Sequence, residues 1–452
     1  MRGQDVCPDA VPRPRDGDEA VVHLAHGETT RESAPRNGAA VNPSVLLALL
    51  VTILLADTVL RVVARRLQLR HQPSRPPPEL ADRLDPARYA QGRAYARDTV
   101  RVSDAHDALH AALWLALLLG GTLGAWHAAV AGTVAHDWLA TALFLASVAI
   151  AFDVLGLPFA AYRTFVIEAR YGFNTSSAAQ FVRDRVTGYL LTIVLGGGLL
   201  ALLLWSLERW GASFWVPYAV LAGLVLTSIS VFYTSLLLPL FNRLTPLPEG
   251  PLADAIRRYV DGAGFALDDT YVMDGSKRST KANAFFSGLG RTRKVVLFDT
   301  LLERHPVDEV VAVVAHEVAH ARLRHGPTLL LTSLASITLL LFLLSRVVES
   351  SALSLALGGS EHALGLNLVA FALLVAPVSL ALDVATNALS RRFEYQADAF
   401  AAHGVGAPSL QAALKRLTSD ALVAPTHHPL YALLHASHPS TVERLRALER
   451  LR

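Results

Sequence analysis

The chain has 452 residues, 52% of them hydrophobic and only 17% charged, with a positive mean hydropathy; it is too long and too apolar for one ordinary soluble domain and reads as a polytopic membrane protein. A formal net charge of +3 is small for this length and argues against a nucleic-acid partner. The single cysteine, Cys7, excludes an intramolecular disulfide framework and a thiolate metal cage, which leaves metal binding to His and carboxylates.

Residues 1–43 are rich in Pro, Gly, Asp and Arg and lack apolar periodicity, so a disordered tail is expected there. No apolar core of a signal peptide lies near the start, and the first apolar run, about 43–63, is read as an anchor. Further runs follow near 107–131, 137–161, 187–207, 214–240, 327–348 and 364–389. Each can cover a hydrocarbon core of about 30 Å as a helix, so seven spans are predicted. Arg clusters after spans one, three, five and seven, whereas 131–135 and 349–362 hold no Arg or Lys. The positive-inside rule then puts the tail outside and the C-terminus in the cytoplasm, although Arg2, Arg13, Arg15, Arg31 and Arg36 of the tail must cross. Basic charge is almost wholly Arg, with Lys only at Lys277, Lys281, Lys294 and Lys415, and with abundant Ala this points to a bacterial cytoplasmic membrane.

Asp57, Asp153, Asp383 and Asn387 fall inside the spans. Such groups face a water-filled interior or pair near an interface; for Asp57 and Asp153 both readings stand, and for Asp383 and Asn387, spaced i and i+4, the inward one is favoured. Between spans five and six, 241–326 reads as a domain of mixed structure. It holds a Pro-rich loop from Asn242 to Pro251, an amphipathic helix from Leu252 to Ala263, and strands at Asp269–Met273 and Lys294–Phe298 around a polar stretch from Gly275 to Phe286. An exposed strand edge near Asn283 and Ala284 can hold an extended peptide; their spacing alone favours an ordinary hairpin strand.

From Val311 to His325 the chain reads as one helix carrying His-Glu-x-x-His. His316 and His320, four apart, point the same way and can reach one metal, with Glu317 beside them to work on water there. Taken alone the pattern also fits a surface helix. A third ligand is expected from another helix, and Glu394 is the best candidate, with Asp398 at i+4 placed to accept a hydrogen bond from a ligating imidazole. His325 falls at i+9 from His316, on the opposite side of a continuous helix, and is read with His427 and His428 as a capping or surface residue.

Ala315-His316-Glu317-Val318-Ala319-His320, with Glu394-Tyr395-Gln396-Ala397-Asp398 downstream, resembles the M48 zinc metallopeptidases, specifically the CAAX prenyl protease 1 (Ste24-type) branch. The likeness extends to Glu168-Ala169-Arg170-Tyr171-Gly172-Phe173-Asn174, Pro239-Leu240-Phe241-Asn242-Arg243-Leu244-Thr245-Pro246, Ser276-Lys277-Arg278-Ser279, Val295-Val296-Leu297-Phe298-Asp299-Thr300 and His435-Ala436-Ser437-His438-Pro439. The resemblance implies one zinc per chain on His316, His320 and Glu394, Glu317 as general base and proton shuttle, and Asp398 behind a ligand. It further implies substrate along a strand edge at Asn283 and Ala284, His438 as a donor to the oxyanion, and Arg444 deeper in the site, near a substrate carboxylate.

The implied fold is mainly α: seven transmembrane helices around a hydrated chamber, with a cytoplasmic α+β zinc metallopeptidase domain. By segment this gives the tail (1–43), helices one to five with their loops (44–240), the catalytic domain with the His-Glu-x-x-His helix (241–326), helices six and seven (327–389), and a C-terminal catalytic segment with the third ligand (390–452). The expected partners are the bilayer and a peptide or protein substrate, lipidated at its C-terminus or not, acted on by a monomer. Rival readings are a quality-control protease without a prenyl substrate, a non-catalytic scaffold and a metal transporter. A transporter should place its ligands at mid-membrane depth and a scaffold should lose Glu317 or a ligand. An intramembrane site-2-type protease would carry an Asn-Pro-Asp-Gly partner, which this sequence lacks.

Overall fold

Helices form where the long apolar runs predict them. The computed structural model describes residues 42–265, 269–288 and 294–451, so the tail over 1–41 lies outside the described residues. In chain order the membrane helices begin with α1 (Pro43–His71), capped by Asn42, and a pair formed by α2 (Pro86–Leu119) and α3 (Thr122–Ala131), bent by 77°. They continue with α4 (Asp137–Glu168), α5 (Ala178–Ser213) and α6 (Trp215–Leu240). After the intervening domain come α9 (His325–Val347) and a second pair, α10 (Leu364–Leu374) and α11 (Ala376–Val405), bent by 47°. Among the described residues, five single helices are long and apolar enough to cross a membrane, and counting each bent pair as one span brings the number up to seven.

The first bend falls at Gly120-Gly121, inside what the sequence presents as one apolar run. Gly121 has φ 62° and faces Gly358 at φ 84°, conformations that a side chain strains. A Cβ on the nearby Gly124 would lie 1.9 Å from the Gly358 carbonyl oxygen, and Gly124 N–H donates to Leu357 O at 3.0 Å. Backbone thus meets backbone at this corner. Of the polar residues inside the spans, Asp57 pairs with Arg61, and Asp153 with Tyr189 and Arg185. Asn387 donates to Leu434 O (3.4 Å).

The domain between α6 and α9 is built on a four-stranded sheet in the order β1-β2-β4-β3. Strands β2 (Asp269–Met273) and β4 (Lys294–Phe298) run parallel at its centre, at the expected positions. Strand β1 (Leu244–Pro246), inside the expected Pro-rich loop, pairs antiparallel with β2, and β3 (Ala284–Ser287) pairs antiparallel with β4 and forms the other edge. Helix α7 (Pro251–Gly262) follows the predicted amphipathic segment.

Helix α8 (Val307–Arg322) lies against the sheet and is covered on its other side. Val310, Val314 and Val318 pack against Val295, Leu297 and Leu301. On the opposite side Ala312 and Ala315 meet Ala401 of α11 and Leu410 and Leu414 of α12 (Ala407–Asp420). Burying each valine contributes about 1.5–3 kcal/mol, which outweighs a helix-propensity cost of at most about 0.7 kcal/mol. The N-terminal turn is pinned by Glu309, 2% exposed, which accepts from Arg416 Nε (2.7 Å) and Nη2 (3.0 Å) and bonds His305 Nδ1 (2.9 Å). The expected single helix from Val311 to His325 is interrupted: Arg324 turns left-handed at φ 59°, and His325 begins α9 on a new axis.

Candidate active site

The middle of α8 presents His316 and Glu317, and one turn later His320, toward the middle of α11. His316 Nε2 and His320 Nε2 stand 3.1 Å apart. Glu394 closes the triangle, with Oε2 at 3.4 Å from His316 Nε2 and Oε1 at 3.4 Å from His320 Nε2. The three donor atoms lie within 4.8 Å of one another. Glu394 is 3% exposed, and its buried Oε2 makes no hydrogen bond among the described residues. Two imidazole nitrogens and an unsatisfied carboxylate oxygen converging in this way are a donor set with a cation-sized demand. A divalent metal fits them.

Behind this triangle lies a charged frame. His316 Nδ1 is 3.0 Å from Asp398 Oδ1. Arg444, on α14 (Thr441–Glu449) beyond α13 (Pro429–His435), donates to both Asp398 oxygens, from Nη2 at 2.6 Å and Nε at 2.8 Å. Its Nη1 stands 3.4 Å from Glu394 Oε2. Burial opposes a charge on His316, but its hydrogen bonds to Asp398 and Glu394 prevail and raise its pKa to about 9. Burial also works against charge on Arg444, yet Asp398 and Glu394 hold its pKa above the ordinary value. Glu317 is pushed up by burial, only partly offset by the two histidines.

Edge strand β3 passes directly over this carboxylate. Glu317 Oε2 accepts a hydrogen bond from Phe286 N–H at 3.2 Å. Phe298 N–H donates to Asn283 O, so Asn283, Phe285 and Ser287 turn their main-chain groups toward β4. Ala284 and Phe286 turn theirs outward, and Asn283 Oδ1 caps the Ala284 N–H at 2.9 Å. On the remaining side His438 places Nε2 3.2 Å from Glu394 Oε1, while its Nδ1 shares a hydrogen bond with Ser437 Oγ (2.8 Å). Burial pushes the pKa of His438 down.

This geometry has relatives. The family model described as CAAX prenyl protease N-terminal, five membrane helices, matches residues 66–243, and that of peptidase family M48 matches residues 246–452. A CAAX prenyl protease 1 homolog of Oryza sativa subsp. japonica is 34% identical over 389 residues, covering 82% of this chain and 90% of the relative. The chain belongs to peptidase family M48. Within M48 it is also similar to the CAAX prenyl protease 1 homolog of Homo sapiens, 32% identical over 83% of this chain and 89% of the relative. The crystal structure of S. mikatae Ste24p matches with a TM-score of 0.84 at 28% identity, over 89% of this chain and 99% of that one. The protein is thus a membrane metallopeptidase of the Ste24-type branch of M48.

The structure brings together every residue that the sequence nominates for this M48 site: His316, Glu317, His320, Glu394, Asp398, His438, Arg444 and the Asn283-Ala284 edge. Three further participants escape sequence reasoning. Phe286 acts through its main chain, which no side-chain pattern reveals. Arg391, read as a basic residue closing the seventh span, donates from Nη1 to Ala432 O (2.8 Å) and Ala436 O (2.6 Å), holding the segment that leads to His438. His325 is corrected outright: it is 2% exposed and lies against His320, because the left-handed Arg324 ends the helix on which the i+9 argument depended. The capping role holds for His428, whose Nδ1 accepts from Leu430 N–H at 3.2 Å.

Proposed function

We propose that the protein is a membrane-embedded zinc endopeptidase that hydrolyses peptide bonds at the His316-His320-Glu394 centre. The observation that carries this reading is the convergence of those three donors beside Glu317 and under an open strand edge. One zinc ion per chain would be held by His316, His320 and Glu394; when bound, it supplies Lewis-acid polarisation of the scissile carbonyl and makes water acidic near neutral pH. The chain's own residues do the rest. Outward main-chain groups of Ala284 and Phe286 lay the peptide antiparallel along β3, and the Asn283 side chain shapes the end of that edge. Glu317 takes the proton of the attacking water and returns it to the leaving amine. His438 donates toward the oxygen that gains charge as the carbonyl becomes tetrahedral. Arg444 is committed to Asp398 and Glu394, so its part is to orient Asp398 and, through it, His316; a substrate carboxylate reaches it only by displacing one of these.

The same reading gives a cytoplasmic catalytic domain over 241–326 and 390–452, helices one to five over 44–240 and six and seven over 327–389. These would enclose a hydrated chamber in a bacterial cytoplasmic membrane, with the N-terminus outside and the protein acting as a monomer. The relatives are named for CAAX prenyl substrates; here the substrate is a peptide or protein at the membrane, prenylated or not. A quality-control protease acting on unprenylated membrane proteins is the variant that a bacterial host favours.

The test is cleavage of a reporter peptide by the purified chain, with and without a chelator, alongside Glu317→Gln. Hydrolysis should vanish in the chelated enzyme and in Glu317→Gln, while the variant keeps wild-type zinc content. A Glu317→Gln protein that cleaves at the wild-type rate sinks the assignment.

A further inference from the structure

His316 and His320 are backed differently: among the described residues, only His316 has a carboxylate behind it. The outer nitrogen of His320, Nδ1, lies 3.0 Å from Nδ1 of His325. His325 in turn places Nε2 3.1 Å from Gln396 Oε1. Its ring is fixed by stacking flat on Phe393, with centroids 4.1 Å apart and planes 7° from parallel. Helix α11 therefore supplies the metal donor Glu394 and, two residues later, the amide that ends this second chain.

The direction of the hydrogen bonds follows from chemistry. An amide oxygen only accepts, so the proton of a neutral His325 sits on Nε2. Its Nδ1 is then a bare lone pair, and the Nδ1–H of His320 must be the donor to it. With its proton on Nδ1, His320 keeps a free lone pair on Nε2, the atom 3.1 Å from His316 Nε2 and 3.4 Å from Glu394 Oε1. If the amide were reversed, with its NH2 toward His325, every bond would run the other way and the proton would sit on His320 Nε2. A metal held by His316, His320 and Glu394 is compatible with the first direction only.

We infer that Gln396 and His325 are positioning residues that fix the tautomer and ring orientation of His320 so that Nε2 faces the metal. The relay is neutral where the one behind His316 is charged, so it orients a ligand without adding an anion to a site that already holds Glu394, Glu317 and Asp398. It rests on the reading of His316, His320 and Glu394 as a metal centre.

The test measures zinc dissociation constants by chelator competition on the full chain in detergent, with thermal unfolding of each metal-free protein as a control. His325→Phe keeps the stack on Phe393 and removes both nitrogens; zinc binding should weaken about 10- to 100-fold. Gln396→Leu, at an exposed position, should weaken zinc in the same direction but by less. Gln396→Glu, which still accepts, should bind zinc at least as tightly as the wild type. If His325→Phe does not fold, the Gln396 pair decides the matter. Wild-type affinity in His325→Phe, or equal loss in Gln396→Leu and Gln396→Glu, overturns the relay. A wild-type chain that takes up no zinc refutes the metal centre beneath it.

Discussion

Arg391→Ala is the perturbation that best separates the scaffold of the site from its chemistry. Arg391 reaches from α11 to the carbonyls of Ala432, in the middle of α13, and Ala436, just past its end and two residues ahead of His438. A hydrogen bond to a charged group contributes about 1.5–3 kcal/mol when well buried. Arg391 is half-buried, and water replaces part of both bonds on its removal, so roughly 2 kcal/mol of restraint is lost from the segment. If that restraint serves to hold His438 in place, 2 kcal/mol corresponds to about 30-fold in rate. The assay is kcat and KM on a reporter peptide for wild type, Arg391→Ala, His438→Ala and the double variant. We expect Arg391→Ala to lower kcat by up to about 30-fold with little change in KM, and to cost almost nothing further once His438 is gone. Arg391→Lys should fall between. Losses that multiply in the double variant refute the coupling, and an unimpaired His438→Ala refutes the donor role itself.

Three other outcomes follow from the same contacts. Glu309→Ala leaves the Arg416 guanidinium and the His305 ring without their shared partner and should destabilise the catalytic domain by about 3 kcal/mol, read from denaturant unfolding; a loss under 1 kcal/mol contradicts it. Burial lowers the pKa of His305 below 6.5, against the pull of Glu309 and Asp420 and with the help of Arg416. Its contribution is therefore whole above pH 6.5 and declines as pH falls from there toward the folded-state value. His305→Gln should flatten the dependence of unfolding temperature on pH between 7.5 and 5.5, and identical slopes would exclude His305 as a source. Gly358→Val, at φ 84° and with a Cβ position 2.3 Å from Gly121 O, should open the corner between α3 and α10 and lower the unfolding temperature without changing zinc content; an unchanged unfolding temperature would show the close approach to be dispensable.

What the sequence discloses here is what periodicity can encode. Histidines four apart on a helix, an acid pair four apart on another, and apolar runs of membrane length survive translation into structure because each depends on one element at a time. Strands β2 and β4 were legible for the same reason, as short β-branched runs bounded by turns. Edge strand β3 was legible only at its start, as a strand at Asn283 and Ala284, since the rest emerges from a polar stretch whose extended form is set by pairing with β4. Arg391 reads as one more basic residue at a membrane border until its distant carbonyls are in view. His325 was misjudged by a sound rule applied one turn too far: helical angles stop adding up where Arg324 goes left-handed. The bends at Gly121 and Val375 divide runs whose hydropathy shows no seam.

Under the proposed function, the hydrogen bond from Phe286 to Glu317 acts as a safety catch. A peptide that pairs along β3 needs the Phe286 N–H for one of its own carbonyls, and to obtain it the peptide must turn the Glu317 carboxylate away. On the proposed reading, the base stays parked on the strand until cargo arrives, and loading is what arms it.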